Sequence, residues 1–483
     1  MFLKKPIIKY RSMNIEAKAS IWYTICNILQ KGIAFIVVPI YVRVLSTAEY
    51  GRYTTFMTWK DILIIFASLN LYCGVYTKAM VDLDSNKERD RYTSSMQGMT
   101  TVLTVCIFFL YITLHDFWNN LIGTNLIDMC LLFLYFIMFP AFSFWSVRKK
   151  VENKYVSMVV ITLLVSVVTP IISLVLLYTT SLREEALIRG LLLTQIGVGV
   201  YFYITQFFKG KCLIDKRYWN RALKFNIPLI PHYLSLIVLG QSDRIMIQKM
   251  CGDGDAGIYS LAYSISTLMN VVIAAINSSL VPWFYRKLRT KEYHRIYKLS
   301  NSITIMIGLM TTLLIVCAPE LIKIIGTEDY YSSVWIVPSV ALAIYYTYCY
   351  NLYCNIEFYF SRTNYVMIAS TIGALLNILL NLIFIRMFGF VAAGYTTMVC
   401  YLIFMIAHYI FMKIVCKEEE ITVAVYDNRF IGMFSFFLSI IGLSIQVLYP
   451  FMAIRILLLL LVMIISYFNR NRFMEFISIR KEK

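Results

Sequence analysis

The chain is short of most of what a soluble enzyme uses. No polar run is long enough to fold as a domain outside a membrane, and acids are scarce: 27 Asp and Glu against 45 Lys and Arg. No Gly-x-x-x-x-Gly-Lys-Ser/Thr sequence occurs, which excludes a P-loop cradling nucleotide phosphates. The four histidines, His115, His232, His294 and His408, are scattered and form no His-Glu-x-x-His or other metal spacing. Eleven cysteines occur without a Cys-x-x-Cys pair. Cys26, Cys106, Cys130, Cys317, Cys349 and Cys400 lie within apolar runs and read as small buried hydrophobes, not as a zinc site or a disulfide framework. A membrane polymerase or glycosyltransferase needs a sizeable loop or a cluster of loop carboxylates, and neither is present. These absences weigh against an enzyme and leave no cofactor site legible.

What the chain has is apolar length. Hydrophobic residues make up 59% of it, with a mean hydropathy of +0.69. A bilayer-spanning helix needs roughly 20 apolar residues, and about fourteen such segments follow one another between residues 19 and 469. The expected fold is therefore all-α and integral to a membrane. The formal net charge of +18 does not indicate nucleic acid, because the basic residues come in short bursts between apolar segments. Such bursts, for example Arg148-Lys149-Lys150 and Arg286-Lys287-Leu288-Arg289, alternate with loops such as His115 to Asp128 that hold no Lys or Arg. By the positive-inside rule both termini are expected in the cytoplasm.

Charge inside the spans marks the candidate site. An ionisable side chain at the bilayer centre costs on the order of 3 kcal/mol on insertion scales, so it faces a partner or a watery cavity. In the first span Ser20, Thr24, Asn27 and Lys31 share one helical face. In the second, Thr54, Thr58, Asp61 and Ser68 form a similar stripe beside Lys60. The seventh begins Ile227-Pro228-Leu229-Ile230-Pro231-His232, where prolines kink its start, and carries Gln241, Arg244 and Gln248 on one face beside Asp243. The eighth carries Tyr263, Thr267, Asn270 and Asn277. Lys31, Lys60, Arg244, Asn27 and Asn270 are the candidate cavity residues, and Asp61 and Asp243 the candidate ion-coupling carboxylates. Each has a structural alternative. Asp243 and Arg244 can form a permanent pair that holds helices, and Lys60 and Asp61, about 100° apart on their helix, can each pair with other helices. Asn377 and Asn381 read first as helix glue, and Glu357 as an interfacial acid.

The chain is also repeated. Gly51-Arg52-Tyr53 opens the second span and Gly257-Ile258-Tyr259 the eighth, each after a short turn. An even number of spans separates the copies, so both have the same orientation. This predicts two six-helix bundles in parallel repeat, residues 1–214 and 215–417, with a peripheral helix pair and tail at 418–483.

The stretch Val38-Pro39-Ile40-Tyr41-Val42-Arg43-Val44-Leu45, running on to Glu49-Tyr50-Gly51-Arg52-Tyr53, resembles the first helix and turn of bacterial O-antigen flippases. Ile227-Pro228-Leu229-Ile230-Pro231-His232, Ser242-Asp243-Arg244 and Ala256-Gly257-Ile258-Tyr259-Ser260-Leu261-Ala262-Tyr263 resemble their second half. These are polysaccharide repeat-unit exporters of the multidrug/oligosaccharidyl-lipid/polysaccharide (MOP) superfamily. The resemblance implies a monomeric protein of the bacterial inner membrane. It would move an isoprenoid-diphosphate-linked oligosaccharide to the outer leaflet by alternating access of two bundles, with H⁺ or Na⁺ as the coupling ion. Implied partners are the lipid-linked oligosaccharide, membrane lipids, and a polysaccharide polymerase with its chain-length machinery. The alternative is a multidrug-type exporter of the same superfamily, whose cavity for cationic drugs should be acidic, not basic.

Overall fold

The computed structural model describes residues 14–470, and those residues form helices and turns without a strand. The basic tail with Lys4, Lys5, Lys9 and Arg11, and the terminal Arg472, Arg480, Lys481 and Lys483, lie outside the described residues. In chain order the helices are α1 (Ile15–Val44), α2 (Thr47–Ser68), α3 (Gly74–Asp82), α4 (Asn86–Thr113), α5 (His115–Ile122), α6 (Leu126–Val151), α7 (Tyr155–Thr179), α8 (Glu184–Gly210), α9 (Lys216–Asn226), α10 (Ile230–Met250), α11 (Asp253–Ser266), α12 (Leu268–Arg289), α13 (Tyr293–Val316), α14 (Ala318–Ile325), α15 (Val337–Tyr359), α16 (Thr363–Phe388), α17 (Ala392–Glu418), α18 (Asn428–Ser444) and α19 (Met452–Phe468).

Every expected apolar segment contains a helix, but eleven described spans are long and apolar enough to cross a bilayer, or twelve when the bent pair Glu328–Trp335 and Val337–Tyr359 counts as one. The count of fourteen is not confirmed. The α2 helix carries Arg52, Lys60 and Asp61 close together, and α19 has 17 residues. The expected eighth span is interrupted at Thr267, between α11 and α12. Local chemistry accounts for the break. Ser260, Ser264, Ser266 and Thr267 all hydrogen-bond back to carbonyls three or four residues earlier, which competes with the helical ladder.

Side-chain caps fix several helix starts. Ser46 and Glu49 form a reciprocal capping box before α2, at 2.7 and 3.3 Å. Asn125, Asp215 and Asp427 cap α6, α9 and α18. Pro228 lies in a single 3₁₀ turn ahead of α10, so the α-helical pattern is interrupted where the prolines were expected to break or kink it.

The chain divides into two compact units. The first comprises the chain up to Val37 together with Arg52–Ile237; the second comprises Val38–Gly51 and everything from Val238 onward. The boundaries therefore fall inside α1, α2 and α10. In the first unit, Leu132, Phe136 and Leu192 belong to one apolar core, and Leu71, Tyr76, Tyr92, Met96 and Phe144 to another. In the second, α15 is buried along most of its length and packs against α17, α13 and α18.

The glycines that open the two Gly-x-Tyr motifs approach each other's turns within the second unit. A Cβ on Gly51 would lie 1.9 Å from the Asp253 carbonyl oxygen, and one on Gly257 would lie 2.0 Å from that of Thr47. Both positions need glycine because backbone crosses backbone there.

Candidate functional site

A buried polar site in the second unit gathers around Asp243, which is 1% exposed. Three neutral donors reach its carboxylate from three helices. The Tyr259 phenol of α11 donates at 2.5 Å, the Asn381 amide of α16 at 2.6 Å and the Thr397 hydroxyl of α17 at 2.7 Å. A second ring of bonds holds these donors. The Asn377 amide donates to Thr397 Oγ1, the Asn381 amide also reaches Asn377 Oδ1, and the Ser242 hydroxyl donates to the same Asn377 oxygen, each at 3.3 Å. The Thr396 hydroxyl donates to Asn381 Oδ1. Asn377 and Asn381 lie one turn apart on α16, so one face of that helix supplies both amides.

Arg244 does not pair with its neighbour in sequence. Its guanidinium carbon lies 4.6 Å from the centre of the Tyr263 ring, a cation–π contact. Successive helical positions diverge by about 100°, and here Asp243 points into the packed interior while Arg244 does not. The permanent Asp243–Arg244 pair is therefore absent. Asn270, half-buried, follows the break at Thr267 and donates its backbone N–H to the Thr267 carbonyl at 2.9 Å.

In the first unit the arrangement is reversed. Lys60 Nζ lies 2.5 Å from Asp61 Oδ1 and 5.7 Å from the centre of the Tyr135 ring. The two were expected to need separate surroundings. The flexible four-carbon lysine stem instead bridges the angle between their Cβ vectors. Lys31 and Asn27 are exposed on α1. Candidate cations thus occur in both units: Lys31 and Lys60 in the first, Arg244 in the second.

Two side-chain contacts of acids were not assigned from sequence. Glu357, read as an interfacial acid, is fully buried on α15, and its Oε1 lies 2.7 Å from His408 Nδ1 on α17. With Cys354 they are the one trio among the described residues whose ligand atoms gather within 4.8 Å, and two of the three already bond each other. Arg455, the lone charge expected within the last two segments, bonds both carboxylate oxygens of Glu320 at 2.5 and 2.6 Å and ties α19 to α14. The sequence signal for the first pair was an acid and a histidine in apolar runs; nothing local linked residues 51 positions apart.

The donor set around Asp243 consists of oxygens and amides, without thiolate or imidazole. Hard oxygen donors suit a proton or an alkali cation and not a soft transition metal.

Over residues 17–287 the chain matches the family described as polysaccharide biosynthesis protein. Lsg locus putative protein 1 of Haemophilus influenzae is 23% identical over 385 residues, covering 74% of this chain and 88% of that one. A second protein of the same organism, described as an uncharacterized membrane protein, is 24% identical over 386 residues with the same coverage. Among solved structures, the lipid II flippase MurJ in an inward closed conformation matches with a TM-score of 0.69 at 14% identity, over 93% of this chain and 99% of that one. An inward-facing MATE family multidrug resistance transporter of the MOP superfamily matches with a TM-score of 0.62 at 12% identity, over 81% and 96%. Identities this low speak to the fold, which is that of MOP transporters. With more than half of its length inside the family match, the chain belongs to the polysaccharide biosynthesis protein family.

Proposed function

We propose that this protein is a flippase for isoprenoid-diphosphate-linked oligosaccharides in the bacterial inner membrane, working by alternating access and driven by H⁺ or Na⁺ bound at Asp243. The observation that carries this reading is the Asp243 site: a fully buried carboxylate held by Tyr259, Asn381 and Thr397, none of which brings a charge. Burial of a carboxylate whose hydrogen-bond partners are all neutral is costly, so a monovalent cation that neutralises it is favoured. Releasing that cation restores the cost, and a conformational change that alters the access or geometry of the site switches between the two states.

The cations support the substrate class. Lys31, Lys60 and Arg244 suit a diphosphate headgroup and disfavour a cationic drug, the substrate of the alternative multidrug reading. No P-loop is present in the sequence, so an ion gradient is the natural energy source. Moving one elementary charge through 100 mV supplies about 2.3 kcal/mol. The test is uptake of a lipid-linked oligosaccharide by proteoliposomes under an imposed pH or Na⁺ gradient. Gradient-dependent flipping by the parent and its loss in Asp243→Asn are the expected results. Gradient-independent flipping by the parent contradicts the coupled mechanism, and charge reversal at Lys60 and Arg244 without effect contradicts the diphosphate assignment.

A further inference from the structure

We propose that a basic cleft between α3 and α9, within the first unit, docks the diphosphate of an isoprenoid-linked lipid. The inference rests on the flippase reading and adds a second place on the protein where the substrate headgroup is held.

The cleft is built on a fixed helix. Asp215 caps α9, with its Oδ1 accepting from Arg217 N at 3.0 Å. Tyr218, Trp219, Ala222 and Leu223 turn inward onto the core that contains Tyr92, Met96 and Phe144. The Trp219 indole donates to the Ser95 carbonyl at 3.0 Å, and the buried Asn226 amide donates to the Leu69 carbonyl at 3.1 Å. The opposite face is basic. Arg217, Arg221 and Lys224 fall at i, i+4 and i+7 on one stripe. With Asn220, Phe225 and Lys78 of α3 they line a cavity of about 560 Å³. Gly74 allows the closeness of the two helices, since a Cβ there would lie 2.9 Å from the Phe225 ring.

The charges are not balanced internally. Arg221 bonds Asp82 at 3.0 Å, and Arg217 is 3.7 Å from Asp215, which also serves as the helix cap and as a partner of Arg91. Lys78 and Lys224 form no ion pair among the described residues. A diphosphate ester carries two to three negative charges and matches this surplus. Phosphate oxygens suit both the guanidinium forks and the ammonium groups. Apolar side chains line it too: Val75 of α3 and Phe225, the latter 41% exposed. A cationic cleft bordered by apolar side chains fits an anionic headgroup on a hydrocarbon chain better than a free anion. A second basic segment, running from Arg286 at the end of α12 to Arg295 on α13, carries comparable charge, with Glu292 bound by Lys287 and Arg295. It serves as a control for charge alone.

The test uses the full-length protein in phosphatidylcholine nanodiscs carrying the Lys60→Glu and Arg244→Glu changes, which reverse two of the three cations proposed for the transport path. Binding is measured for undecaprenyl diphosphate, phosphatidylglycerol and inorganic diphosphate. Undecaprenyl diphosphate should bind at least tenfold more tightly than the other two. Arg217→Glu with Lys224→Glu should weaken it at least tenfold, Arg217→Gln with Lys224→Gln by less, and Arg289→Glu with Lys291→Glu should not change it. Equal weakening by both Glu pairs, equal affinity for phosphatidylglycerol or for free diphosphate, or an unaffected cleft variant would each overturn the inference. Failure of the flippase reading appears separately, as flipping that persists in Lys60→Glu/Arg244→Glu without the cleft changes.

Discussion

Among the carboxylates that stand beside a base in the sequence, Asp61 in the first unit and Asp243 in the second are treated oppositely by the fold. The Asp61 side chain is 35% exposed and lies 2.5 Å from its neighbour Lys60. Asp243 is 1% exposed, its neighbour Arg244 lies over Tyr263, and its own partners are a phenol, an amide and a hydroxyl. Adjacency in sequence therefore does not decide pairing; the helical step and the reach of the base do. The electrostatic consequence differs as well. Asp61 carries its counter-charge with it through any movement, whereas Asp243 has neutral partners and gains from a cation that comes and goes. This comparison is why the proposed coupling group is Asp243 of the second unit.

The comparison breaks most completely where the second unit's framework is lost. Gly257→Leu forces a side chain into the Thr47 carbonyl and should abolish recovery of monodisperse protein by fluorescence-detected size exclusion. Gly32→Leu, with no atom within 4 Å of its Cβ position, should be recovered like the parent. A folded Gly257→Leu protein would show that the crossing is not tight.

Changes within the Asp243 shell should be smaller and specific to coupling. Hydrogen bonds to charged groups contribute roughly 1.5–3 kcal/mol, so Asn381→Ala or Thr397→Val should reduce gradient-driven flipping by about tenfold or more while membrane levels hold. Tyr259→Phe keeps the ring and removes one donor, and should act in the same direction. Undiminished coupling in all three would show that the shell only packs.

The first unit's pair sharpens the contrast through a double-mutant cycle. Lys60→Met and Asp61→Asn should each lower thermal stability, and the double variant should lose less than their sum, with an interaction of about 0.5–3 kcal/mol. Strict additivity would mean that the pair contributes nothing as a pair.

The smallest effect concerns an acid outside the spans. Burial opposes ionisation of Glu152, but bonds from Arg148 and Lys154 and the charge of Lys149 outweigh it and hold Glu152 down at about 2. Its folded value lies below its ordinary one of 4.5, so its contribution is complete above that pH and is lost as pH falls toward 2. Melting scans should show the parent losing its advantage over Glu152→Gln across that window; an advantage constant down to pH 2 would contradict the depressed value.

Much of this was legible in the sequence. Span length and apolarity set the fold class, and the cost of burying charge singled out Asp243, Arg244 and Lys60. Pro228, just ahead of α10, announced the break there. The partners of Asp243 were not legible, because Asn381 and Thr397 lie 138 and 154 residues away, and asparagines on an apolar helix also serve as ordinary glue. The Thr267 interruption was carried by serine and threonine hydroxyls that looked like a cavity stripe. The link between Glu357 and His408 needed α15 packed on α17.

The central claim is that Asp243 couples transport to an ion while Asp61 does not. The most direct measurement is flipping in proteoliposomes under an imposed pH or Na⁺ gradient, with Asp243→Asn and Asp61→Asn beside the parent. Asp243→Asn should lose gradient dependence entirely while Asp61→Asn keeps it at a reduced rate. Gradient-driven flipping at the parent's level in Asp243→Asn, or its loss in Asp61→Asn alone, would contradict the account.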